Sequence, residues 1–286
     1  MLSNKVSEIM TANLTVAPAS TAIIEVMQLM VSEDVGRIII MDHEIPVGIF
    51  TEKDVLKRVV NANLDPMKTN IKEVMTTPIR AVREETHIVE AFAKMYQGKY
   101  RHLLVRGRRG KIVGIVSMRR ILGLAVELGQ GMSETKTLGS ITTSSVVSVD
   151  PSLSVEATVD LMVHQGIGAV VITAAGKLHG IFTERDVLKR VAATGINTKK
   201  TAVKEVMTSP LVTMESSALV GDALAEMYRR DIRNMPVTDP QGTLMGIMSM
   251  PDILQYARAF NIDEQVRRTW KEVAEYLDAE DQYTPG

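Results

Sequence analysis

The chain has 286 residues, of which 45% are apolar and 23% charged, with a formal net charge of -1 and no cysteine. That length admits two compact domains with a substantial core. Near-neutrality excludes the strong global field of a nucleic-acid or membrane-surface binder, and the missing cysteines exclude disulfides, thiolate metal sites and a cysteine nucleophile.

The opening MLSNKVSEIM holds no apolar core of signal-peptide length, and no apolar run reaches the roughly 18 residues of a membrane span. A soluble, cytoplasmic protein is expected. After IMTANLTVAP, the first periodic segment sets Ile23, Val26, Met27, Met30 and Val31 on one face at helical spacing, behind Ser20 and Thr21 as candidate caps. GRIIIM and PVGIF follow, two β-branched runs separated by the polar DHE, and predict a strand pair. Val55, Leu56, Val59 and Val60 then mark a second amphipathic helix that starts at Thr51. The unit is short strand, helix, strand, strand, helix, a fold of the α/β (α+β) class. Neither its helices nor its three-stranded sheet buries both faces alone, so units are expected to pair through their sheets.

The unit then recurs. GIFTEKD, GIVSMRR, GIFTERD and GIMSMPD open at Gly48, Gly114, Gly180 and Gly246, a constant spacing of 66 residues. KEVMT occurs at Lys72 to Thr76 and again at Lys204 to Thr208, and Met-Tyr at Met95 and Met227, each at twice that spacing. The first unit therefore matches the third and the second matches the fourth, as in a duplicated pair. Within the closing stretch, Thr51 and Asp54 return as Thr183 and Asp186. A hydroxyl followed three residues later by an acid, ahead of an apolar run, is a capping-box signature. The same two groups at one helix N-terminus can also hold a polar ligand.

Four repeats with an MT opening, a strand ending near Met235, Pro236 and Val237, and a closing G-h-x-[ST]-x-x-D resemble CBS domains arranged as two Bateman modules. The likeness covers nearly all of residues 5–258. It implies four β-α-β-β-α repeats: 5–66 and 71–130 in a first module over 5–132, and 136–198 and 203–258 in a second over 136–258. A C-terminal tail over 259–286 remains.

The resemblance further implies a regulatory, non-enzymatic protein that binds adenosyl ligands in clefts between paired repeats. Those ligands are AMP, ADP or ATP, with magnesium as a companion ion, or S-adenosylmethionine. An energy sensor is implied, working by ligand-dependent rearrangement of paired repeats as a homodimer or disc-like assembly, with a regulated protein as its partner. In the family the Asp accepts hydrogen bonds from ribose hydroxyls, and the Ser or Thr contacts ribose or phosphate. Carried over, the pairs are Thr51 with Asp54, Thr183 with Asp186, and Ser249 with Asp252.

The second repeat departs from the pattern, with Ser117 but Arg120. A guanidinium has no acceptor for a ribose hydroxyl, so this cleft is expected to be empty or to turn Arg120 toward a neighbouring phosphate. The family's phosphate-binding cations at the start of the strand after the first helix correspond to Arg37, to Arg101 and His102, and to Arg233, with Gly168 and Ala169 at that place in the third repeat. Residues 1–132 carry 18 Lys and Arg against 14 Asp and Glu, whereas the remainder carries 15 against 20. A phosphate-rich nucleotide is therefore expected to prefer the first module, and AMP or a less charged ligand the second.

Plainer readings cover the other features. RGRRGK, from Arg106 to Lys111, lies between two predicted strands and reads as a solvated turn. With only 4% aromatic residues, nucleic-acid binding is disfavoured. The five histidines show no metal-ligand spacing. Val266, Trp270, Val273 and Leu277 mark an amphipathic helix beyond the repeats, which packs against its own module or meets a partner. No P-loop, G-x-S-x-G, HExxH or Cys/His constellation occurs, and residues 259–286 are too few for a catalytic domain. The alternative to a nucleotide sensor is an interaction scaffold whose clefts are vestigial.

Overall fold

The computed structural model describes residues 5–98, 100–127, 136–142, 146–249 and 252. The helix expected around Trp270 lies outside them, as does the closing helix expected for the fourth repeat beyond Asp252. Each repeat builds one three-stranded sheet. The first runs β1 (Val16–Pro18), α1 (Ile23–Ser32), β2 (Arg37–Asp42), β3 (Ile45–Thr51) and α2 (Glu52–Asp54), with α2 continuing as a π-helical stretch over Val55–Val60.

The second repeat contributes β4 (Ala81–Arg83), α3 (Ile88–Gln97), β5 (His102–Arg106), β6 (Ile112–Ser117) and α4 (Met118–Glu127). In the third, β7 (Ser148–Val149), α5 (Val155–Gln165), β8 (Ala169–Ala174), β9 (Lys177–Thr183) and α6 (Glu184–Asp186) follow, with a second π-helical stretch over Val187–Ala192. The fourth shows β10 (Met214–Glu215), α7 (Val220–Arg229), β11 (Asn234–Thr238) and β12 (Leu244–Ser249). In every sheet the strands stand in chain order. The helix that joins the first strand to the second makes that pair parallel, and the short hairpin makes the next antiparallel, as in β1, β2 and β3.

The helix starts are satisfied differently from the sequence expectation. The N-cap of α1 is Ala22 rather than Ser20 or Thr21, and it supplies no side-chain bond. Instead the amides of Ile23 and Ile24 donate to the carbonyls of Thr69 and Pro66, each at 3.0 Å. In the third repeat Val155 and Glu156 donate to Thr201 and Thr198, and the Ser154 hydroxyl adds a cap by accepting from Ala157. Backbone carbonyls from more than 40 residues away thus take the donors that a helix leaves unpaired.

The described chain divides into two compact units. One comprises Met1–Arg120, Ser145–Val212 and Gln241–Leu244, and the other Ile121–Ser144, Thr213–Pro240 and Met245–Gly286. In the first unit, the sheet residues Ile39, Leu104 and Ile115 bury one another with Met41, Ile49, Ala81 and Ile112 around them. The expected pairing through sheets holds for the first and second repeats. A second junction was not legible beforehand: the buried stripe of α1 (Val26, Met27, Met30) shares one core with that of α5 (Val155, Val159, Met162) and with Leu56 and Leu188 on the two π-helical stretches. The first and third repeats therefore join through their helices.

In the second unit, α7 buries Val220, Ala223, Leu224 and Met227, and the Leu138 amide donates to Ala218 O. RGRRGK forms the β5–β6 turn, with Gly110 at φ 76° and Arg108 3.6 Å from Glu85. Among the described residues no helix is long and apolar enough to cross a membrane.

Candidate functional site

The loop that leaves β3 turns straight into α2 at Thr51, and that turn brings the two repeated polar groups together. Oδ2 of Asp54 accepts from the Thr51 amide at 2.9 Å and from Thr51 Oγ1 at 2.7 Å. The Thr51 hydroxyl in turn accepts from the Asp54 amide at 3.4 Å, which completes a capping box. The other oxygen, Oδ1, accepts from Thr76 Oγ1 at 2.9 Å and faces Arg58 Nε at 3.5 Å. Asp54 is buried. A carboxylate has roughly four acceptor positions. Three are filled by hydrogen bonds and a guanidinium stands before the fourth.

The third repeat copies this arrangement. Asp186 Oδ2 accepts from the Thr183 amide at 2.9 Å and hydroxyl at 2.7 Å, while Oδ1 accepts from Thr208 at 2.8 Å and lies 3.6 Å from Arg190. Arg58 also donates to the carbonyls of Val74 and Met75 at 2.8 and 2.7 Å, and Arg190 does the same to Val206 and Met207. The KEVMT segment that opens the following repeat is thereby tied to the helix that closes the previous one. The π-helical stretches sit where both arginines leave the helix, a place where such widened turns often mark function.

The second and fourth repeats keep the cap in different forms. Ser117 Oγ accepts from the Arg120 amide at 3.2 Å. In the fourth repeat the Ser249 amide donates to Asp252 Oδ2 at 2.8 Å, and the Ser249 hydroxyl donates to the same oxygen.

Strand register sets the expected cations beside these groups. Arg37 is the cross-strand partner of Thr51, His102 that of Ser117, and Ala169 that of Thr183. The first residue of the middle strand thus stands against the hydroxyl that caps the closing helix, at one end of the first three sheets. Arg37 and His102 are half-buried there, as is Arg233 just ahead of β11. Arg101 lies beside its partner strand's end, where its carbonyl accepts from the Met118 amide at 2.9 Å. Its guanidinium, however, is engaged: Nη2 lies 3.1 Å from Glu184 Oε2 in the third repeat.

Several members of this constellation escaped the sequence reading. Glu52 and Glu184, each directly after the capping Thr, are buried carboxylates. Arg185 Nε reaches Glu52 Oε1 at 3.4 Å, and Lys189 donates to Asp34 at 2.5 Å, which holds the Asp34 carboxyl below the usual carboxylate range. Thr76 and Thr208 carried a signal, since KEVMT repeats at twice the basic spacing. Nothing in the sequence tied them to an acid 22 residues earlier.

The CBS domain profile matches residues 6–61, 71–127, 138–193 and 203–259. A CBS domain-containing protein of Arabidopsis thaliana, CBSCBSPB1, is 29% identical over 281 residues, covering 85% of this chain and 51% of its own length. The chain spans about half the length of the curated relatives it matches first. Among solved structures, protein MJ1225 of Methanocaldococcus jannaschii superposes with a TM-score of 0.76 at 17% identity, covering 88% of this chain and 99% of that one. A conserved protein of Pyrococcus horikoshii superposes at 0.59 with 19% identity and the same coverage. At these identities the two structures speak for the fold.

Proposed function

The chain belongs to the CBS domain family, and from that premise we propose that it is a regulatory sensor of adenine nucleotides (AMP, ADP or ATP). The observation that carries the reading is the convergence of a capping hydroxyl, a helix-start carboxylate and the first residue of the middle strand at one end of the first and third sheets, with a cation, Arg37, in the first. Ribose hydroxyls need acceptors, phosphates need cations and helix N–H groups, and this end of the sheet offers both.

The mechanism is differential. A ligand shifts the arrangement of paired repeats only by as much as it binds one arrangement better than another. The occupied acceptors of Asp54 and Asp186 supply such a difference, because a ribose hydroxyl that takes Oδ1 displaces Thr76 or Thr208 and loosens the segment that opens the next repeat. The modules over 5–132 and 136–258, a homodimeric or disc-like assembly, and a regulated protein partner complete the proposal.

The same saturation favours a second reading, an interaction scaffold in which the acids only brace the fold. Thermal unfolding of the full chain with AMP, ADP, ATP, GTP and S-adenosylmethionine separates the two. A ligand at 100 times its dissociation constant adds about 2.7 kcal/mol, a rise on the order of 5 to 10 °C for a chain of this size. A response to adenine nucleotides and not to GTP is expected. An equal GTP response removes adenine specificity, a response to S-adenosylmethionine alone reassigns the ligand, and silence from all five leaves the scaffold.

A further inference from the structure

We propose that Glu184 is an internal anion seated at the phosphate position of Arg101, so that a phosphorylated ligand and this carboxylate compete for one guanidinium. The proposal rests on the nucleotide reading for its ligand, but the exchange itself is a property of the ion pair and is testable without a nucleotide.

Two positions joined by a backbone bond alternate through the repeats. The Glu52 amide donates to Gly36 O at 3.2 Å, Met118 to Arg101 O at 2.9 Å, and Glu184 to Gly168 O at 3.0 Å. In the fourth repeat the corresponding residues are Arg233 and Met250. Glycine thus accompanies glutamate in the odd repeats, and arginine accompanies methionine in the even ones.

Space explains the glycine. A Cβ at Gly168 would stand 3.3 Å from both Cδ and Oε1 of Glu184, so a side chain there would press on the carboxyl and shift it by a few tenths of an ångström. The third repeat lacks its own cation at this place and holds an anion instead. The cation comes from the second repeat, as Arg101 at 3.1 Å.

Exposure says which partner can leave. The Glu184 side chain is 10% exposed and that of Arg101 is 44% exposed. The arginine can swing onto a phosphoryl group, whereas the carboxylate stays behind. A buried carboxylate stripped of its cation is strongly unfavourable. Glu184 must then find another donor or carry the start of α6 toward solvent. Occupancy of Arg101 by phosphate is thereby coupled to the third repeat, and the carboxylate lowers the affinity of the first module for phosphorylated ligands.

The test uses the full chain, with inorganic pyrophosphate as the anion probe and AMP against adenosine as the nucleotide pair, read by thermal unfolding and titration calorimetry. Glu184→Gln should tighten pyrophosphate by about tenfold, and the gain should vanish in the double variant that also carries Arg101→Gln. AMP should tighten by a similar factor in Glu184→Gln while adenosine does not change. Equal pyrophosphate affinity in the wild type and Glu184→Gln, or a gain that persists without Arg101, overturns the proposal. If pyrophosphate discriminates while AMP and adenosine bind neither protein, the exchange stands and the nucleotide reading fails. Should Glu184→Gln not fold, Glu184→Met, the residue that the second repeat carries as Met118, provides the same comparison.

Discussion

The first and third repeats place an acid three residues after the capping Thr, and the second repeat places Arg120 there. All three helices still start at the hydroxyl, since Ser117 Oγ accepts from the Arg120 amide as Thr51 and Thr183 accept from Asp54 and Asp186. What differs is the reach beyond the helix. Asp54 and Asp186 bind a threonine hydroxyl 22 residues ahead, whereas Thr142, the corresponding threonine after the second repeat, donates to Leu138 O in its own turn. Capping and bracing are therefore separable tasks. The hydroxyl performs the first, and the acid adds the second.

The largest expected effect tests that division. Asp54→Ala leaves the Thr51 amide, the Thr76 hydroxyl and the Arg58 guanidinium without their shared acceptor, and should cost about 3 kcal/mol in urea unfolding. Asp186→Ala should match it. Ser117→Ala removes only a cap and should cost about 1 kcal/mol. Equal losses in the two repeats would erase the distinction between bracing and capping.

Next come the glycines that let the KEVMT segments lie against β3 and β9. At both positions a Cβ would first meet a flexible methionine side chain, Met75 at Gly48 and Met207 at Gly180, but at Gly180 it would also stand 3.0 Å from the Thr208 carbonyl, a backbone atom. Gly180→Ala should cost about 2 kcal/mol and Gly48→Ala about half as much. A reversal of that order in denaturant midpoints would show that side-chain adjustment, rather than the backbone, limits the approach.

Smaller still is the bracing hydroxyl alone. Thr76→Val or Thr208→Val removes one hydrogen bond and leaves the carboxylate with its other partners, at about 1 kcal/mol each. A loss as large as that of Asp54→Ala would move the brace from the acid to the threonine.

The smallest effect is electrostatic and lies on α7. Arg229 and Arg230 both bond Glu226 and pull its carboxyl down to about 2. A carboxylate whose folded value is depressed stabilises the folded state fully above its unfolded value and loses that contribution as the pH falls toward the folded one. Between about pH 5 and pH 2 the wild type should therefore weaken slightly more than Glu226→Gln, a difference that salt screens because these groups are exposed. Identical acid limbs for the two proteins would remove the arginine pair from the stability of this helix.

Much of the architecture was legible because it is local. Period-3.6 patterning placed α1, the two β-branched runs around DHE placed β2 and β3, and the 66-residue spacing counted the repeats. The 132-residue spacing paired first with third, which matches the near-identical surroundings of Asp54 and Asp186. The helix start at Thr51 was also local, since a capping box spans only three residues. The caps Ser20 and Thr21 were misplaced for the complementary reason. The donors of α1 are met by the carbonyls of Pro66 and Thr69, and no local pattern reports a backbone acceptor from a distant loop.

By itself, then, the sequence determined the repeat unit, its four copies, the capping hydroxyls and the family likeness, all of which depend on spacing along the chain. Only the tertiary structure decided what those groups meet. It joined the first and third repeats through their helices, gave Asp54 and Asp186 a threonine and an arginine, and set Arg101 against the buried Glu184. The threonine and Arg101 partners stand 22 to 83 residues from their acids, and a carboxylate binds whichever donor the packed core delivers to it.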